Sequence, residues 1–128
     1  MTRVNVTSGT MWEKQVGYSR AVKIGNLIEV SGTTAVEDEN RIVGIGDAYR
    51  QTRFVLEKIE AALNQAGATL KDVVRTRMYV TDISQWEAIG KAHNEFFGAI
   101  NPATSMVEVS ALINPDLLVE IEATAYID

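Results

Sequence analysis

Three glutamates late in the chain, Glu108, Glu120 and Glu122, are the side chains best suited to chemistry in this sequence. Glu120 and Glu122 are two apart, so in a strand both point the same way, and Glu108 on the preceding strand has the parity to join them. Such a polar face either lies in solvent, bridged to Arg75 and Arg77, or becomes a crevice when the face is covered in an oligomer. In a crevice, desolvation raises a carboxyl pKa, and the group can orient a water or act as general acid and base. Tyr18 and Arg20 share another strand face. An aromatic wall beside a guanidinium suits a small carboxylate bound through two parallel hydrogen bonds, although a packing tyrosine and a solvated charge read equally well. Ser31-Gly32-Thr33 ends a strand in small residues, which permits close approach of a ligand to the backbone or marks a bend.

Other chemistry is largely excluded. There is no cysteine, which removes disulfides, thiolate metal sites and a cysteine nucleophile together. The single histidine, His93, lies beside Asn94 and fits a helix surface or core edge better than a catalytic role. Gly44-Ile45-Gly46 lacks the third glycine and preceding strand of a dinucleotide fingerprint, and no phosphate-loop, serine-hydrolase or zinc-protease motif occurs. No metal or cofactor is expected. The net charge is −5 and the Lys and Arg residues are scattered, which disfavours a nucleic-acid partner. The opening residues lack the apolar core of a signal peptide, and no apolar run approaches the roughly 20 residues that span a bilayer. The expectation is a cytoplasmic protein with no membrane span.

These side chains need elements to position them, and the 128 residues fit one domain spanning 1–128. Val4 and Val6 alternate with polar neighbours, predicting a first strand; residues 7–10 read as a turn, and strand character continues to Lys14. Tyr18–Ile24 and Leu27–Ser31 form a hairpin around Gly25-Asn26. Residues 37–46 read as a loop with a short edge strand at Ile42-Val43. Asp47 caps a helix whose core face is Thr52, Val55, Leu56, Ile59, Ala62, Leu63 and Ala66, while Arg53, Glu57, Lys58 and Glu60 face water; Gly67 ends it. Val73–Val80 is a strand with Val74, Thr76, Met78 and Val80 on one face and Val73, Arg75, Arg77 and Tyr79 on the other. Ser84 and Glu87 form a capping box for a second helix with Trp86, Ile89, Ala92 or His93, Phe96 and Phe97 as its apolar stripe. Ser105–Leu112 and Leu117–Ile127 make a final strand pair around Asn114-Pro115-Asp116. In the last strand Val119, Ile121, Ala123, Ala125 and Ile127 share a face. The order predicts an α+β domain, a mixed sheet with two helices on one face.

The joint order of several short motifs resembles the Rid family, the reactive intermediate deaminases, also called YjgF-like or endoribonuclease L-PSP-like proteins. The motifs are Gly17-Tyr18-Ser19, the run from Gly25 to Gly32, Gln65-Ala66-Gly67-Ala68, Asp72-Val73-Val74-Arg75 and Tyr79-Val80-Thr81-Asp82, then Asn94-Glu95-Phe96-Phe97, Pro102-Ala103, Val107-Glu108-Val109 and the run from Val119 to Ala123. The resemblance implies a chorismate-mutase-like fold and a homotrimer with a central barrel and a small-molecule ligand in clefts between subunits. It implies cofactor-independent hydrolysis of reactive enamines and imines to keto acids and ammonia. Glu120 would position the attacking water, and Tyr18, Ser31 and Gly32 would line the cleft. Asn94 and Phe97 join the ligand-contacting candidates, and Glu108 and Glu122 become structural partners in the trimer core.

One departure stands out: the family pattern has an arginine after Pro-Ala that clamps the substrate carboxylate, and here Pro102-Ala103 is followed by Thr104 and Ser105. A hydroxyl does not replace a bidentate guanidinium, whose loss costs several kcal/mol. Either Arg20 supplies the charge from another strand, or the ligand is neutral or differently shaped. Two readings follow. One is a Rid-type hydrolase of altered substrate choice, in which Glu120 activates water and Tyr18 with Thr104 or Ser105 orients the ligand. The other is a non-catalytic trimer that binds a small metabolite or a protein partner. Endoribonuclease activity, suggested by the older family name, is disfavoured by the acidic balance and the missing histidine pair.

Overall fold

The computed structural model describes residues 2–128. Its main sheet has six strands in the order β1 (Arg3–Val6), β2 (Ala21–Ile24), β3 (Leu27–Thr33), β8 (Val119–Tyr126), β6 (Val73–Val80) and β7 (Ala103–Glu108). All neighbours are antiparallel except β6 and β7, which are parallel. Parallel strands need a crossover, supplied here by helix α3 (Trp86–Phe97). With α2 (Ala48–Gln65), α3 covers one side of the sheet, and the expected α+β layering holds. Among the described residues no helix is long and apolar enough to cross a membrane.

The core lies between the helices and one sheet face. Leu56, Ile59 and Leu63 of α2 and Ile89 and Phe97 of α3 meet Ile28, Val80, Val119 and Ile121, all at most 1% exposed. Each such side chain contributes roughly 1.5–3 kcal/mol by leaving water. Ala123 and Ala125, fully buried, keep the centre of the sheet low enough for the helices to seat. Asp47 caps α2 by accepting from the Arg50 N–H at 3.0 Å. At the other end the N–H groups of Ala68 and Gly67 return to the Leu63 and Asn64 carbonyls, and Gly67 takes φ +88, which favours glycine.

Several sequence expectations change. Residues 11–16 form a short helix, α1 (Met11–Val16), rather than continuing a strand. Its Thr10-x-x-Glu13 spacing is a capping signature: the Glu13 N–H donates to Thr10 Oγ1 at 3.4 Å, and the Glu13 carboxylate accepts from the Thr10 hydroxyl at 3.2 Å, the Ser8 N–H and the Ser8 hydroxyl. Glu13 is only 6% exposed, whereas Met11, Trp12 and Val16 point outward. Glu13→Ala leaves these donors without a buried acceptor and is expected to lower the unfolding free energy by about 2 kcal/mol in denaturant titration. A loss under about 0.5 kcal/mol would contradict this account.

Val36–Glu37 (β4) and Arg41–Ile42 (β5) pair as a separate two-stranded ribbon in place of a loop with one edge strand. A register shift between Val73 and Arg75 places Val73, not Val74, on the core face with Thr76, Met78 and Val80; Val74 is 51% exposed. Asp82 rather than Ser84 provides the cap before α3, accepting from the Ser84 N–H at 3.0 Å at the head of a single 3-10 turn. Trp86 is 56% exposed rather than core. The final strands are not a pair, because β6 lies between β7 and β8. Glu108 therefore does not join Glu120 and Glu122; its Oε1 accepts from the Ile83 N–H at 2.9 Å, holding the turn before α3.

Candidate functional site

Alternation along β8 sends Val119, Ile121, Ala123 and Ala125 to the core and Glu120, Glu122, Thr124 and Tyr126 to the open face. On that face Arg77 stands opposite Glu122 and Tyr79 opposite Glu120. Salt bridges do not explain these carboxylates. Arg77 donates to Thr124 at 3.4 Å, Arg75 donates to Ser105 Oγ at 3.0 Å, and Glu122 accepts from the Tyr79 hydroxyl at 3.0 Å. Thr124 donates in turn to Glu29 at 2.6 Å. Glu29 and Glu122 are thus engaged in a polar ladder, and no hydrogen bond from a described residue reaches the Glu120 carboxylate.

Glu120 lies against Gly32. A Cβ built on Gly32 would come within 2.0 Å of Glu120 Oε2, so the carboxylate occupies the space a side chain would take. The register of β3 against β8 shifts between Val30 and Thr33, and this irregularity brings the Gly32 backbone over the glutamate. Burial pushes the Glu120 pKa above its ordinary value, the neighbouring Glu122 adds to the rise, and Arg20 opposes both.

Arg20 lies beside this contact. Its Nη2 donates to the Gly32 carbonyl at 2.7 Å, its guanidinium lies 5.9 Å from the centre of the Tyr18 ring, and its buried Nε has no hydrogen-bond partner among the described residues. Ser31 is fixed by donation from its hydroxyl to the Ser19 carbonyl at 2.6 Å. Tyr18, Arg20, Ser31, Gly32 and Glu120 are therefore assembled at one place in one chain.

The remaining candidates lie elsewhere. Phe97, 1% exposed and tilted against the His93 ring with ring centres 4.8 Å apart, is a core residue. Asn94 packs beside Gly98, where an added Cβ would meet its Oδ1 at 2.8 Å. Ser105 is held on the open face by Arg75. Thr104 turns to the helix side, its Oγ1 2.8 Å from Thr76 Oγ1. It is two strand spacings across and three residues along the sheet from Glu120, roughly 14 Å, and on the opposite face, so the two cannot meet one small ligand within a single chain. Two depressions in the described surface, about 270 Å³ beside Tyr49, Arg53 and Phe54 and about 190 Å³ beside Gly46, Asp82 and Leu118, do not include Glu120.

Lys58, expected in water on α2, is instead half-buried and hydrogen-bonded. Its Nζ donates to the Thr34 and Val36 carbonyls at 3.0 and 2.8 Å. With Arg20 on Gly32, two cations thereby hold alternate carbonyls of the segment that lies over Glu120. Burial, and then the charge of Arg20, lowers the Lys58 pKa to about 8. In the unfolded chain the amine keeps its proton to about 10.4, so between these values the unfolded state binds more protons and stability rises with pH. Denaturant midpoints from pH 7.5 to 10 are expected to show an increase on the order of 1–2 kcal/mol that Lys58→Met lacks; identical profiles would rule out this linkage.

The family model described as Endoribonuclease L-PSP matches residues 11–127. A RutC family protein of Pyrococcus abyssi is 41% identical over 114 residues, 88% of this chain and 89% of its own. The 3-aminoacrylate deaminase RutC of Acinetobacter baylyi is 38% identical over 110 residues, 86% of each chain. Among solved structures, Rv2704 of Mycobacterium tuberculosis, a member of the YjgF/YER057c/UK114 family, superposes with a TM-score of 0.90 at 58% identity, covering 98% of this chain and 100% of the other. The YjgF gene product of E. coli gives a TM-score of 0.79 at 29% identity, with 95% and 93% covered. Sheet order, helix placement and near end-to-end similarity agree, and the chain belongs to the endoribonuclease L-PSP family, the YjgF-like or Rid proteins.

Proposed function

We propose that this protein hydrolyses small reactive imines and enamines to carbonyl compounds and ammonia, with Glu120 as the proton-transferring residue. The observation that carries the reading is the half-buried Glu120 carboxylate, set against Gly32 with its pKa raised and no competing hydrogen bond from the described residues. Similarity to a 3-aminoacrylate deaminase supports the reaction class.

The chemistry needs no cofactor. An enamine first takes a proton from solvent on carbon, which gives the protonated imine. Glu120 as carboxylate removes a proton from water while the water oxygen bonds to the imine carbon and the C=N π electrons move to nitrogen. The protonated Glu120 then returns its proton to the amine nitrogen; the C–N bond breaks as a lone pair of the hydroxyl oxygen forms the C=O bond, and the hydroxyl proton passes through the Glu120 carboxylate to the departing ammonia, which leaves as ammonium. Both steps favour an acid whose pKa lies nearer the working pH than that of an exposed carboxyl. Arg20, beside Tyr18, is the cation available to a substrate carboxylate at this end. Because Thr104 and Glu120 stand on opposite faces, a ligand that meets both lies between two copies of the chain, which agrees with an intersubunit cleft in a homotrimer.

The test is ammonia release from enzymatically generated imines carrying small, branched and aromatic side chains, with wild type and Glu120→Gln. Turnover on none of them, or turnover independent of Glu120, ends this reading.

A further inference from the structure

Residues 32–36 lead from the end of β3 into β4, and their first residue lies against Glu120. The register shift between Val30 and Thr33 takes the start of this stretch out of step with β8, so its carbonyls find partners elsewhere. The Gly32 carbonyl accepts from Arg20 Nη2 at 2.7 Å and the Ala35 carbonyl from the Val43 N–H at 2.8 Å. The Thr34 and Val36 carbonyls both accept from Lys58 Nζ, at 3.0 and 2.8 Å. Thr33 and Ala35 between them are 1% and 0% exposed, which locks the pinned carbonyls and the Gly32 backbone into one piece. Lys58 supplies its two bonds from α2, with the Phe54 ring 5.9 Å from its Nζ and Arg20 as the charge that bears on it.

What this stretch does for Glu120 is to exclude water. The carboxylate packs on the Gly32 backbone, in the space a side chain would fill. Glu122 on the same strand and Arg20 before β2 are the charges that act on it, and Tyr79 stands opposite on β6. Burial outweighs both charges in raising its proton affinity. The backbone that buries it is the piece that Lys58 pins.

We propose that Lys58 is a positioning residue for Glu120, holding residues 32–36 closed against the glutamate by donating to the Thr34 and Val36 carbonyls. Its effect on turnover rests on the deaminase reading above. An ammonium suits the task because it carries three N–H donors on one atom and so reaches two carbonyls of one stretch at once. Without it the two carbonyls turn to water, the stretch lifts, and water reaches the Glu120 carboxylate. Glu120 then loses both the desolvation that keeps its proton affinity high and the fixed placement that its proton transfers need.

The experiment follows the Glu120 carboxyl by carbon-13 NMR through a pH titration, its signal assigned by its absence in Glu120→Gln. In Lys58→Met the midpoint is expected to fall toward the ordinary carboxylate range. For imine hydrolysis kcat is expected to drop about 10-fold with KM within about 2-fold, because Lys58 acts on the placement of Glu120 and not on the substrate. The chain has no cysteine, so Lys58→Cys can be alkylated at that one thiol, in denaturant before refolding. Alkylation with 2-bromoethylamine, which rebuilds an amine at the length of lysine, is expected to restore both the midpoint and kcat; alkylation with 1-bromopropane, which gives the same length without donors, is expected to restore neither. An unchanged midpoint in Lys58→Met overturns the proposal, and so does a rise, the direction expected if Lys58 acted on Glu120 through its charge. Equal behaviour of the two alkylated proteins, or a Lys58→Met chain that does not fold, assigns Lys58 to packing or to the fold and overturns it as well. If the wild type turns over no imine, the deaminase reading falls, and the carboxyl midpoints decide this proposal by the same outcomes.

Discussion

Glu120→Gln is expected to lower kcat/KM for imine hydrolysis about 10³-fold, within the range general acid–base residues contribute. Glutamine keeps the shape and the contact with Gly32 but neither accepts a proton from water nor returns one to nitrogen. The pH profile separates this from a packing defect. Burial and Glu122 raise the Glu120 pKa, and the carboxylate form is the base, so wild-type kcat/KM is expected to rise with pH through a midpoint above the ordinary carboxylate range. The variant lacks that rise. It is also expected to be more stable near neutral pH, by on the order of 0.5–1 kcal/mol, because a partly desolvated charge is removed. A variant within 3-fold of wild type, or one unfolded at assay temperature, is the contrary result.

Gly32→Ala is expected to lower kcat/KM about 10²-fold through the same carboxylate. The added methyl would lie 2.0 Å from Glu120 Oε2 and 3.0 Å from its Cδ, so the side chain must swing away. A misplacement on this scale suffices for such a loss. Gly32 has no left-handed φ, so the backbone tolerates alanine and the damage is confined to the contact. Gly32→Ala combined with Glu120→Gln is expected to be no worse in kcat/KM than Glu120→Gln alone, since both act on one group. Multiplying losses would show that Gly32 serves another purpose.

Strand and helix content was readable because period-2 and period-3.6 patterns are strong in Leu27–Ser31, residues 48–65 and Val119–Ile127, and because Asp47 is an unambiguous helix start and Gly67 an unambiguous stop. Alternation also separated Glu120 and Glu122 from the core. It describes faces within a strand and is silent on which strands adjoin: parity alone puts Glu108 with them, and β6, lying between β7 and β8, keeps it apart. Register shifts were equally hidden. The one at Val73 exchanged two valines, and the one after Val30 made the Gly32–Glu120 contact. α1 had a visible signal in Thr10-x-x-Glu13, masked by the apolar alternation around it. Lys58 had none: a lysine on a helix flank is commonplace, and its partners lie on a bulged segment brought close by packing.

β8 lies between β3 and β6 in the sheet, yet the ribosome makes it after every other described strand. Until it emerges, β3 and β6 each present a bare edge, and α2 and α3 have no floor of Val119, Ile121, Ala123 and Ala125 to rest on. Folding of the described sheet therefore waits for long-range pairing, a slow and aggregation-exposed route. Glu120 arrives on that same strand, so a nascent or truncated chain has neither a closed sheet nor the residue that would make it an enzyme.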